Sequence, residues 1–226
     1  MSITKSIFGK IGNNTDVELY TITNGSGASV SIQTLGAGIQ AINVPDRNGK
    51  NGDVVLGFDK PEYYTDPDLG YQGLVVGRFA NRIRDAKFVV DGVEYHTPNN
   101  QGTWTLHGGG RFSFTVWEVE ETTDCSVTLS KFSPDMEDGF PGNFTMKVKY
   151  TLTEENTLRI EYSVLSDKKT VANPTNHAYF NLSADPQKTI EDHLLKINAD
   201  HFTETDDSQL TTGVLSALKG TMLDFS

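Results

Sequence analysis

Along residues 144–152 the side chains alternate without a break. Phe144, Met146, Val148, Tyr150 and Leu152 take one side, and Thr145, Lys147, Lys149 and Thr151 take the other. A period of two rather than 3.6 is the mark of a strand with one wet face and one buried face. Leu158, Ile160, Tyr162 and Val164 repeat the pattern after "TEEN", so the two runs predict a hairpin. "KFVVDGVEY" predicts another, because Asp91-Gly92 suits the positive φ angles of a tight turn. Further turn signals stand at Asn48-Gly49, Asn51-Gly52, "DPDLG" and "DGFPGN". Gly, Asn and Asp punctuate the chain at about the 8–12 residue spacing of antiparallel sandwiches and barrels. Only "PEYY" and "LTTGVLSALKG" leave room for a helical turn. The expected fold is all-β, with residues 1–226 forming one domain.

Composition then narrows function by exclusion. Against 19 basic residues stand 30 acidic ones, a formal charge of −11 that repels phosphate backbones and anionic membrane surfaces. No nucleic-acid or membrane partner is expected, and Glu118, Glu120 and Glu121 read as a solvated strand face. No apolar run reaches membrane-spanning length, and the first residues lack a signal-peptide core. The expected compartment is the cytoplasm. Cys125 is the only cysteine, which rules out an intrachain disulfide; within "DCSVTL" it reads as a buried structural residue.

Candidate chemistry rests on two of the five histidines. His96, His193 and His201 have no local catalytic partner and read as structural or surface residues, with His193 alternating onto the side of Leu195 and Ile197. His107 opens into the glycines of "TLHGGG", which allow a close approach to the backbone. That stretch alone leaves open a cavity-facing imidazole or a turn with an incidental histidine. His177 stands in "PTNHAYFNL", where Pro174 biases the backbone toward extended geometry, Asn176 and Tyr179 add hydrogen-bonding groups, and Phe180 and Leu182 offer packing. Such a frame suits a general acid. "GRFANRIRDA" gathers Arg78, Arg82 and Arg84 around Asn81; some are expected to pair with acids such as Asp85, while one points its fork of donors at a ligand. No HxH, HExxH, CxxC or phosphate-binding loop occurs, so neither a metal nor a cofactor is expected.

Taken together, "GRFANRI", "LHGGG", "DGFPGN" and "PTNHAYFNL", in this order and at these separations, resemble the aldose 1-epimerases, or galactose mutarotases. The similarity runs from "LGAGI" near residue 35 to "GTMLDF". It implies a large antiparallel β-sandwich that interconverts the α and β anomers of free hexoses such as galactose and glucose, without a cofactor. Matched motif by motif, it implies His177 as the general acid toward the ring oxygen and His107 as its partner in polarising that oxygen. Asn81 and Arg82 become a clamp for sugar hydroxyls, and Tyr179 lines the same pocket. The family's base is a glutamate near the end of a longer chain, and a second sugar-binding aspartate lies beyond the "DF" motif; neither has a match here. "QLTTG" also replaces the more usual proline-threonine-glycine. The implied sandwich is therefore truncated at its C-terminal side, to be completed by a missing segment or a second chain. A non-catalytic sugar-binding module is the alternative, and epimerisation of a phosphorylated hexose would call for more basic residues than this acidic chain supplies.

Overall fold

The computed structural model describes residues 1–225. Strands β1 (Ser2–Ile11), β2 (Thr15–Thr23), β3 (Ser29–Gln33), β4 (Ile39–Pro45) and β5 (Asn51–Asp53) form one antiparallel sheet in sequential order. Short strands follow: β6 (Val75–Val76), β7 (Arg82–Ile83), the hairpin β8 (Lys87–Val90) and β9 (Val93–His96), and β10 (Thr105–Leu106). The second large sheet is β11 (Glu118–Thr122), β12 (Ser126–Ser133), β13 (Phe144–Leu152) and β14 (Leu158–Ser166), again in order and antiparallel. Beyond it lie β15 (Thr175–Asn176) and a hairpin of β16 (His201–Thr205) and β17 (Thr211–Ala217). Among the described residues no helix is long and apolar enough to cross a membrane.

The two large sheets share one hydrophobic core. Ile22, Val30, Ile32 and Ile39 from the first meet Val127, Leu129, Met146 and Val148 from the second, with Trp117 and Phe112 alongside. The alternation of β13 becomes packing: all five residues of its apolar set are buried, and Lys147 on the other face is exposed. Burial of Phe144, Met146, Val148 and Leu152 stabilises by roughly 1.5–3 kcal/mol each. Tyr150 is tolerated there because its hydroxyl donates to the carbonyl of Ala37 at 2.7 Å.

Several local readings of the sequence are corrected. Asn51-Gly52 is not a turn, since both residues lie in β5. "TTGVLSA" forms β17 rather than a helical turn, as its β-branched Thr211, Thr212 and Val214 favour. "PEYY" does form one, a 3-10 turn at Pro61–Thr65. Cys125 is only partly buried and precedes β12. The stretch around His193 is not a strand, and Leu195 and Ile197 are 61% and 45% exposed rather than sharing a buried side with it. Phe180 and Leu182 are likewise exposed and supply little of the packing expected around His177.

Candidate active site

Three segments far apart in sequence are drawn together by short ladders. Antiparallel pairing of Leu106 with Arg82 and Thr105 with Ile83 brings β10 beside β7. Pairing of Thr175 with Val76 and Asn176 with Val75 brings β15 beside β6, and a parallel bridge joins Phe79 to Asn173. Ala80, Asn81, Arg82, Leu106, His107 and His177, together with residues 173–175, then line a cavity of about 580 Å³. His107, His177 and Arg82 line this one hollow, while Tyr179, expected in the same pocket, is not among its lining residues.

Glycine explains how the imidazole of His107 is delivered. The turn after β10 packs so closely on the peptide joining Gly77 to Arg78 that a Cβ on Gly108 would lie 2.4 Å from the Gly77 carbonyl oxygen and 2.8 Å from the Arg78 nitrogen. Only glycine fits, and its φ of +64° points the same way. The group that approaches the glycine run is thus the chain's own backbone. His107 and Asn81 both adopt positive φ, at +54° and +68°, a strained conformation for side-chain-bearing residues that clusters at functional sites.

Two reciprocal hydrogen bonds hold that strain. The His107 N–H donates to the Asn81 carbonyl at 3.1 Å, and the Asn81 N–H donates to His107 Nδ1 at 3.1 Å. Because Nδ1 accepts, the neutral ring must carry its proton on Nε2. Burial, then the charges of His177 and Arg82, push the imidazole down to about 4, so it stays neutral near pH 7. His107 is a fixed hydrogen-bond donor.

The ring of His177 lies edge-on to that of His107, with centroids 5.1 Å apart and planes at 88°. Its backbone is fixed by bonds to Leu74 and Gly73, and the Asn176 side chain donates to the Gly73 carbonyl at 2.7 Å. Asn176 therefore braces the strand and does not orient the imidazole. Tyr179 is 44% exposed and its ring centroid lies 5.0 Å from that of His177. Tyr71 is the residue sequence reading missed: it is buried, with its ring 4.6 Å from His107 and 6.1 Å from His177. Burial raises its hydroxyl above the usual phenol range. Nothing in "DLGYQG" marks it, because its place is set by packing against residues 36 and 106 positions away.

The arginines divide by surroundings. Arg78 is buried, and its guanidinium donates to the carbonyls of Ser133, Pro134, Phe140, Pro141 and Gly142 and to Ser133 Oγ. Arg84 pairs with Asp206 at 3.0 Å, not with Asp85. Arg82 alone lines the cavity. Its backbone N–H and Nη1 donate to Asn81 Oδ1 at 2.8 and 3.3 Å, and Nη2 donates to Gln209 Oε1 at 2.7 Å. Elsewhere, His193 Nε2 accepts from the Leu182 N–H, and His96 is an exposed partner of Glu94. Among the described residues no cluster of His, Cys, Asp or Glu is arranged to hold a metal ion.

Known proteins resemble this chain over nearly its whole length. The sequence model of the family described as aldose 1-epimerase matches residues 18–226. Galactose mutarotase of Rattus norvegicus is 38% identical over 99% of this chain and 65% of its own length. Aldose 1-epimerase of Haemophilus influenzae is 37% identical over 92% of the chain and 61% of its own length. The chain thus spans under two thirds of these relatives. Among solved structures, galactose 1-epimerase from Lactobacillus acidophilus superposes with a TM-score of 0.87 at 28% identity, over all of this chain and 65% of that one. An aldose epimerase homologue from C. elegans gives 0.86 at 36% identity, over 92% and 63%.

Proposed function

The chain belongs to the aldose 1-epimerase family, and from that premise we propose that it is a cytoplasmic, cofactor-free isomerase that interconverts the α and β anomers of free hexoses such as galactose and glucose. The observation that carries the reading is the meeting of His107, His177, Asn81 and Arg82 at one hollow roomy enough for a hexose.

Opening a cyclic hemiacetal moves two protons. A base takes the proton of the C1 hydroxyl, its electron pair forms the aldehyde C=O, the bond from C1 to the ring oxygen breaks, and an acid protonates that oxygen. His177 is the acid. His107, neutral and with its proton on Nε2, donates a hydrogen bond to the same oxygen and stabilises the charge that gathers there. Asn81 and Arg82 hold sugar hydroxyls, and Tyr179 stands beside His177. Rotation about C1–C2 presents the other face of the aldehyde, and the same transfers in reverse close the ring. Positioned acid–base groups contribute about 10²- to 10⁴-fold.

Among the described residues no carboxylate lines this cavity. We infer that the base is a carboxylate brought to the cavity by a further segment or by a second chain. The uncovered apolar side chains of Leu165, Leu182, Leu194 and Leu215 support such a covering element. Polarimetry on freshly dissolved α-D-galactose is the test. A rate above that of buffer, sharply reduced by His177→Asn, is expected of the completed enzyme. Galactose binding with mutarotation at the buffer rate would make residues 1–226 a sugar-binding unit; no binding at all would end the hexose reading.

A further inference from the structure

The geometry points to Gln209 as a positioning residue that fixes the guanidinium of Arg82 for the sugar, a role that rests on the hexose reading above. Asn81, the other group that holds this guanidinium, is its immediate neighbour in the chain. It is exposed, its bond to Nη1 is long at 3.3 Å, and it moves with the same backbone. Gln209 comes from the turn between β16 and β17, and its Oε1 accepts from Nη2 at 2.7 Å. The two amides grip opposite nitrogens. The remaining N–H on each Nη is left for hydroxyl oxygens, while Nε is shielded and has no protein partner among the described residues.

The turn is built to aim that amide. Asp206 Oδ1 accepts from the N–H groups of Ser208 and Leu210, both at 3.0 Å, and the Gln209 N–H donates to the Asp206 carbonyl at 2.8 Å. Gln209 itself takes a φ of +61°, costly for a side-chain-bearing residue, while the buried Leu210 pins the turn. Arg84 adds a second tether, donating to Asp206 Oδ2 at 3.0 Å and to the Thr211 carbonyl at 3.3 Å. The hairpin is thereby fastened to the segment that follows the Arg82 strand. A neutral acceptor suits the task, because it orders the long side chain without cancelling the charge offered to the sugar.

The experiment pairs a sugar-free readout with a binding readout. Gln209→Gly removes the amide and fits the positive φ, so the turn survives; Gln209→Glu keeps an acceptor oxygen in place. In the wild-type chain, NMR of the Arg82 guanidinium should show separate, slowly exchanging Nη signals. In Gln209→Gly they should merge, and galactose affinity should fall about threefold to tenfold. Gln209→Glu should keep the signals separate and bind closer to wild type than the glycine variant. Unchanged guanidinium signals in Gln209→Gly, or altered signals with unchanged affinity, would overturn the assignment. Absence of galactose binding in every form would strike the hexose reading instead, with the guanidinium signals still deciding whether Gln209 holds Arg82.

Discussion

Arg78 and Arg82 lie four residues apart on one segment, and their surroundings differ in nearly every respect. The first is enclosed, with its donors spent on five backbone carbonyls and its cation stacked 4.9 Å from the Phe144 ring. The second lies at a cavity, held by two side-chain amides, with donors to spare. A saturated guanidinium is a structural rivet, whereas one left partly unsatisfied beside a hollow is a binding group. The peptide joining Gly77 to Arg78, pressed against Gly108, couples the rivet to His107.

Four substitutions or conditions sharpen that contrast. Arg78→Ala strips the partner from five carbonyls and should lower stability by about 3 kcal/mol or more in urea denaturation. A loss below about 1 kcal/mol would dissolve the contrast. Gly108→Ala sets a methyl against the Gly77 carbonyl; we expect a loss of about 2–3 kcal/mol and displaced His107 signals, and a neutral substitution would mean the coupling is absent.

Protonation comes next. With a folded value near 4 against about 6.5 unfolded, His107 binds its proton more tightly in the unfolded chain. Its contribution is therefore intact above about pH 6.5 and is lost as pH falls toward 4, on the order of 1–2 kcal/mol for a partly buried ring. Denaturation of wild type and His107→Gln at pH 7 and pH 4.5 isolates this slope from the carboxylates, which both chains share; equal slopes would refute the depressed imidazole. Smallest in stability is Arg82→Ala, expected within about 1 kcal/mol of wild type yet tenfold or more weaker for galactose by calorimetry. Unchanged affinity there would make Arg82 a second rivet.

What the sequence disclosed follows the same division. β13 and the Asp91-Gly92 hairpin were legible because alternation and turn chemistry are local, and both act on the backbone directly. Around Leu195 and Ile197 alternation misleads, since it signals a buried face only where something packs against it, and both side chains are exposed. His107, His177 and Arg82 were legible through motif resemblance; their spacing alone left them open. The separate fates of Arg78 and Arg82 were not legible, because five carbonyls of residues 133–142 decide the first and residue 209 helps decide the second. Tyr71 was hidden for the same reason, and the only hint of Gln209 was the altered "QLTTG" turn.

The central claim is that His107, His177 and Arg82 serve one sugar. Imidazole nitrogen NMR during a galactose titration tests it most directly. The account predicts that His107 and His177 shift together along a single saturation curve, that His96, His193 and His201 stay still, and that Arg82→Ala flattens both curves over the same concentrations. Histidines 107 and 177 that remain unmoved up to the solubility limit of the sugar, or that follow separate curves, would contradict it.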